Sequence, residues 1–190
     1  SPAKDGVAIF WRGGLLAGGL RRAAYLEQER RTKGAQVALL QRLCVFPTDG
    51  TGSRNVVVCE THLRSSGDDA FRVKQAEEVI AALKAFSRGD PQIVLADVNS
   101  DALAAPRPGA ETASPSVVEY FLSQGYRCAY REVGAGDSSS RFPEYTTWAG
   151  WASGDYRGVC DHIFISGDVG VAAVLDVPVV EPLASTFPER

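Results

Sequence analysis

Apolar residues in this chain come in short runs, each closed by polar or turn-forming residues. GVAIFW (6–11) reads as a short buried strand. The next stretch, RGGLLAGGLRRAAYLEQERRTKG (12–34), mixes glycine pairs with charge and reads as a surface excursion holding a few helical turns. Its charge run from Arg21 to Lys33 reads as a solvated face, and the interleaved Glu27 and Glu29 argue against a basic rim for nucleic acid. QVALLQRLCVF (36–46) and NVVVCETHL (55–63) predict two strands that pair as a hairpin through the turn-rich TDGTGS.

DDAFRVKQAEEVIAALKAF (68–86) sets Phe71, Ala76, Val79, Ile80, Leu83 and Phe86 at helical spacing behind an Asp68 cap. QIVLADV (92–98) follows as a strand, and DALAAPRPGAETASP (101–115) as a loop. SPSVVEYFLSQG (114–125) predicts a short helix with Ser114 as cap, Pro115 at its first position and Gly125 closing it. YTTWAGW (145–151), GVCDHIFIS (158–166) and VGVAAVLDVP (169–178) read as three further strands. Strands with two inserted helices and no regular βαβ alternation predict an α/β domain of mixed, mainly antiparallel sheets with helices outside, not a Rossmann arrangement.

Three of these strands carry polar groups where core residues are expected. QIVLADV ends in Asp97 and is followed by Asn99; side chains alternate across a strand, so the two share a face if the strand continues, or form an Asx turn if it stops. NVVVCETHL ends in Glu60, Thr61 and His62. GVCDHIFIS sets Asp161 and His162 inside an apolar run, where a carboxylate is costly unless paired or metal-bound. These two neighbours face opposite sides; Asp161 is assigned to chemistry and His162 to structure. His62, Asp97, Asn99 and Asp161 are expected to converge at one end of a sheet.

These strings carry a resemblance. THL (61–63), FRVKQ (71–75), LADVNS (95–100), YTTW (145–148) and GVCDHIF (158–164) stand in the order and spacing of the endonuclease/exonuclease/phosphatase superfamily, the fold of deoxyribonuclease I. Together with DGVAIFW (5–11), the set is most similar to the branch holding nocturnin and the poly(A)-specific deadenylases.

The resemblance implies a four-layer α/β/β/α sandwich of two sheets, with residues 1–190 forming the central and C-terminal portion of a single domain. It implies hydrolysis of a phosphate ester assisted by Mg²⁺ (or Mn²⁺). On matching positions, Asp97 would orient or deprotonate the attacking water and, with Asn99, help hold the metal. Asn99 would also contact phosphate, His62 would donate to a phosphoryl oxygen, and Asp161 would orient a histidine from elsewhere. Arg64 and Tyr156 fall where the branch contacts substrate phosphate and stacks on a base. Arg72 and Gln75, one helical turn apart, are expected to brace a loop near the site.

The first activity implied is a 3′–5′ exoribonuclease of deadenylase type acting on poly(A)-like RNA. A nocturnin-like dinucleotide 2′-phosphatase acting on NADPH is the nearest variant. A catalytically inactive scaffold or RNA-binding subunit of a larger protein complex is the contrasting class. The family's metal-binding Glu would precede DGVAIFW and its final Ser-Asp-His string would follow VLDVPVVEPLASTFPER, so the chain reads as trimmed at both ends. Ala96, Val98 and His162 depart from the usual Gly, Phe and Tyr, and Glu144 stands where deadenylases often carry an Asn.

Composition adds bounds. The 190 residues suit one domain, and 45% hydrophobic with 23% charged residues is ordinary for a globular protein. A net charge of −3 gives no global attraction to nucleic acid, so an anionic substrate needs a local basic patch or a cation. No apolar run is long enough for a membrane helix. None of the four cysteines forms a C-x-x-C pair; Cys44, Cys59 and Cys160 read as small core residues and as reduced thiols of an intracellular protein, cytoplasmic or mitochondrial. The absence of methionine fits an internal piece.

Overall fold

The computed structural model describes residues 6–13, 16–26, 36–47, 51–65, 68–103, 116–133, 142–151 and 154–175. Its centre is a six-stranded sheet in the order β1 (Leu16–Tyr25), β2 (Val37–Val45), β3 (Arg54–His62), β4 (Gln92–Asp97), β8 (Asp161–Ser166), β5 (Arg127–Cys128). A separate two-stranded sheet pairs β6 (Thr147–Trp151) with β7 (Gly154–Gly158). The large sheet is mixed and mainly antiparallel, as expected: β3 and β4 run parallel and the other pairings antiparallel.

The parallel pair requires a crossover, and α1 (Asp69–Ser87) supplies it. Asp68 caps α1 by accepting from the Phe71 amide, as its sequence position predicts. Arg88 in the left-handed region (φ 54°) and Gly89 (φ 93°) end it. Ala76, Val79, Ile80 and Leu83 are buried against Leu40, Val57, Cys59 and Val94 of the sheet. Each fully buried Leu or Ile on this face stabilises by about 1.5–3 kcal/mol. Val117, Val118 and Phe121 of α2 (Val117–Ser123) and Phe164 of β8 extend the same core, with the Phe121 and Phe164 rings stacked at 4.3 Å. The opposite face of the sheet carries a thinner cluster of Leu43, Val56 and Val58, flanked by Ile9, Val45, Ile93 and Leu95.

Four expectations are corrected. GVAIFW forms no strand: Phe10 is 92% exposed, while Ile9 packs against the open face. The glycine-bearing stretch expected as a surface excursion instead supplies β1. Its register shifts between Gly18 and Arg21, and the buried Gln41 amide donates to the carbonyls of Gly19, Leu20 and Arg42. The glycines therefore mark a bulge within a strand. Gly18 has a steric reason too, since a Cβ there would lie 2.7 Å from the Trp11 ring.

The cap of α2 is Ser116, which accepts from the Glu119 amide, and not Ser114, which with Pro115 lies outside the described residues; Gly125 (φ 86°) follows the helix as expected. Residues 169–175 are not a strand, and 176–178 are outside the described residues. Three short elements had no clear periodic signal: β5, α3 (Ala129–Val133) and β7. Among the described residues the cysteines are free, with Cys59, Cys128 and Cys160 buried and Cys44 half-buried, and no helix is long and apolar enough to cross a membrane.

Candidate functional site

The register of three strands builds the site. His62 is opposite Asp97, and Asp97 is opposite Asp161. These residues end β3, end β4 and begin β8, so they form one row across one end of the sheet. Residues opposite one another in neighbouring strands project to the same face. That face is the thinly covered one, shared with Leu95 and Ile163 one row inward. His162 and Ala96 point to the helix-covered side.

His62 Nε2 lies 3.5 Å from Asp97 Oδ2, with the imidazole 53% exposed and the carboxylate 27%. Asp97 is held above the ordinary carboxylate range chiefly by burial, with the Asp161 charge adding to the rise. The Asn99 amide, His62 and Arg72 oppose it. Two carboxylates directly across a strand pair repel, which favours a cation or a proton between them.

Asp97 and Asn99 also form the Asx turn: the Asn99 amide donates to Asp97 Oδ1 at 2.9 Å. Asn99 takes a positive φ of 48°, a conformation that Asn tolerates better than most residues. Its Nδ2 donates to the Leu63 carbonyl at 2.9 Å, tying the tip of β4 to the tip of β3 and leaving the side-chain oxygen as the group able to meet a ligand. The two sequence readings of this pair are therefore compatible; the turn sets the geometry of the polar groups.

Asp161 is held from the hairpin. Thr147 Oγ1 donates to Asp161 Oδ2 at 2.7 Å, and Thr146 Oγ1 accepts the amides of both Cys160 and Asp161 at 2.9 Å. Asp101 Oδ1 accepts the Val159 amide at 3.0 Å, and the Val98 amide donates to the Cys160 carbonyl at 2.8 Å. Thr146, Thr147 and Asp101 hold the candidate site in place, and sequence reasoning did not single them out. The doubled threonine in YTTW was the available signal.

The remaining expected residues sit around this row. The Arg64 amide donates to Gln75 Oε1 at 3.0 Å, and its guanidinium lies 5.2 Å from the Phe71 ring centre. Arg72 Nε donates to the Arg64 carbonyl at 3.0 Å and Nη2 to that of Ser65 at 3.2 Å, while Nη1 pairs with Asp69 at 2.7 Å. Arg72 and Gln75 thus brace the segment after β3. The Tyr156 hydroxyl lies 3.1 Å from Cys160 Sγ; burial first, then Cys160 and Asp101, raise its pKa above the ordinary phenol range.

His162 is buried, its Nε2 donating to the Val159 carbonyl at 3.0 Å, and burial lowers its pKa. Its ring meets Tyr130, Phe142 and Phe164. It stabilises the covered side.

No protein-family model and no curated protein sequence matches the chain. Solved structures do. The catalytic domain of human nocturnin, solved with a bound sulfate anion, matches with a TM-score of 0.57 and 26% identity over 81% of this chain and 49% of that one. A mannosyl-6-phosphatase from Bacteroides thetaiotaomicron matches with a TM-score of 0.59 and 17% identity over 83% of this chain and 55% of that one. ANGEL2, a 2′,3′-cyclic phosphatase, matches with a TM-score of 0.52 and 14% identity over 82% of this chain and 57% of that one.

The chain has the fold of these endonuclease/exonuclease/phosphatase structures and is similar in sequence to nocturnin. It spans about half the length of the superfamily structures it matches.

The metal expected for the superfamily can be tested against these residues. Asp97 and Asn99 offer hard oxygen donors at one strand tip, the kind Mg²⁺ takes, and Mg²⁺ commonly uses one or two carboxylates with substrate phosphate and water. The repulsion between Asp97 and Asp161 favours a cation there as well. Among the described residues no group of three or more His, Cys, Asp or Glu side chains is arranged to enclose an ion. The donor set fits an open Mg²⁺ site that substrate completes, and does not fit a closed structural one.

Proposed function

We propose that the protein is a Mg²⁺-dependent phosphohydrolase acting on an adenosine-bearing phosphate ester, with 3′–5′ removal of nucleotides from poly(A)-like RNA as its reaction. The observation that carries this reading is the row His62–Asp97–Asp161 on one face of one sheet end. A bound Mg²⁺, held by Asp97 and Asn99, would neutralise charge on the phosphoryl oxygens and polarise the ester.

The chain's own groups do the rest. Asp97, made more basic by burial and by Asp161, orients the attacking water and takes its proton. His62, exposed beside it, donates to a phosphoryl oxygen as charge builds there. Asn99, locked by Leu63, contacts phosphate through its side-chain oxygen's partners, water or metal. Asp161 orients a histidine from another part of the protein. Tyr156 gives an aromatic face, 39% exposed, for a base to stack on, and Arg64 gives a cation at the rim.

The 26% identity with nocturnin favours a second reading, a dinucleotide 2′-phosphatase acting on NADPH. The sulfate in that protein's structure is a tetrahedral anion of phosphate shape, consistent with phosphate handling in either reading.

The test is a panel: labelled oligo(A), mixed-sequence RNA and NADPH, each with Mg²⁺ or with EDTA, using the longest form of the protein and an Asp97→Ala control. Stepwise shortening of oligo(A) supports the exoribonuclease, and inorganic phosphate released from NADPH supports the phosphatase. Absence of any Mg²⁺-dependent product from the three substrates overturns both and favours a scaffold or RNA-binding subunit.

A further inference from the structure

We propose that Thr147 is a positioning residue for Asp161, fixing the direction of its carboxylate for catalysis. The inference rests on the phosphohydrolase reading and deepens it. Thr147 begins β6 and Asp161 begins β8, strands of two different sheets. The 2.7 Å bond from Thr147 Oγ1 to Asp161 Oδ2 is therefore a link between sheets made at the site itself. Its length is that of a well-formed hydroxyl–carboxyl hydrogen bond.

Two further observations show that the carboxylate needs such a partner. Asp161 stands opposite Asp97, and their like charges push the side chains apart. The backbone around Asp161 is already fixed. The Val159 amide is taken by Asp101, those of Cys160 and Asp161 by Thr146, and the Gly158 carbonyl accepts the Thr146 amide at 3.0 Å. With the main chain pinned, the freedom left at position 161 is in the side chain. Thr147 removes it by engaging one oxygen and leaves the other free to act.

Threonine suits the task better than serine. Its β-branch restricts χ1 within a strand, so the hydroxyl direction is preset. Thr146 and Thr147 divide the work, one holding the main chain of the β7–β8 junction and the other the side chain.

The experiment uses Thr147→Val, which keeps the shape and deletes the donor, and Thr147→Ser, which keeps the donor. Steady-state kinetics on the substrate turned over in the panel is expected to show kcat lowered about 10–100-fold in T147V with KM unchanged, as for other partners that orient a working side chain. T147S is expected to recover most of the loss. A thermal-unfolding cycle of T147V, Asp161→Asn and the double variant is expected to be non-additive, reporting the bond without relying on activity.

An additive cycle overturns the proposal. So does a non-additive cycle with kcat unchanged, which reduces Thr147 to a tether of the hairpin. An unsubstituted protein inactive on every substrate overturns the phosphohydrolase reading and this role with it. An active protein indifferent to T147V sinks this inference alone.

Discussion

The two faces of the large sheet are built by alternate residues of the same strands, and they obey different rules. On the helix-covered face, Leu40, Cys59, Val94 and Phe164 pack against α1 and α2, and the polar residues Thr61 and His162 are buried with carbonyl partners. On the other face the apolar cluster is thin, Ile163 is 44% exposed, and a row of one imidazole and two carboxylates crosses the strand ends. Adjacent residues 161 and 162 fall on opposite sides of this divide. One face is arranged for stability; the other holds like charges together at a cost to stability, the pattern of a working site.

The largest expected effect separates the faces by function. Asp97→Ala is expected to lower kcat by at least on the order of 10³-fold with circular dichroism unchanged. Asp97→Asn is expected to be equally inactive yet to unfold at a higher temperature than the unsubstituted protein at pH 7, because it removes a repelled, half-buried charge and keeps an acceptor for the Asn99 amide. A lower midpoint would show that the row stabilises the fold and would blur the contrast.

Next comes packing. Phe164→Ala on the covered face is expected to cost about 3–5 kcal/mol in denaturant unfolding. Ile163→Ala, one residue away on the open face, is expected to cost about 1 kcal/mol or less. Equal losses would show that the open face is as tightly packed as its partner. Smaller again is the ligand contact: Tyr156→Ala is expected to weaken binding of an adenosine-bearing substrate by about 1–3 kcal/mol per stacked base, read as a KM increase, and to leave a substrate lacking a base unaffected.

The smallest effect is in pH dependence. Burial lowers the folded-state pKa of His162 from its ordinary 6.5, despite the Val159 carbonyl, Asp161 and Asp101, while Arg131 adds to the fall. Below 6.5 the unfolded chain binds the proton that the folded chain refuses, so the neutral imidazole's stabilisation, full above 6.5, declines as pH falls toward the folded pKa. His162→Phe is expected to flatten the stability profile over that acidic range. An unchanged profile would show that the burial of His162 has no titration consequence.

Much of this was readable from residue order, for physical reasons that differ by element. The apolar spacing and Asp68 cap of α1 report burial on one side of a helix, and the structure keeps both. The alternation in β4 and β8 put Asp97 with Asp161 and set His162 apart, because strand period alone decides the face. The failures lie where local pattern and tertiary partner disagree. β1 was hidden because its glycines look like loop, and the Gln41 side chain that satisfies its bulge comes from a neighbouring strand. GVAIFW has strand composition and no strand partner among the described residues. Thr146 and Thr147 look like ordinary strand residues until β8 is placed beside them. Which strand ends meet was not contained in any one segment; the resemblance of several strings in order supplied it.

The most direct test of the account is a crystal structure of the protein soaked with Mn²⁺ and adenosine monophosphate, with anomalous scattering used to locate the metal. The account predicts an anomalous peak at ligand distance from a carboxylate oxygen of Asp97 on the open face, with the nucleotide's phosphate beside it and near His62. A peak elsewhere, or the Asp97–Asp161 row empty of metal and phosphate with the face open to solvent, would contradict it.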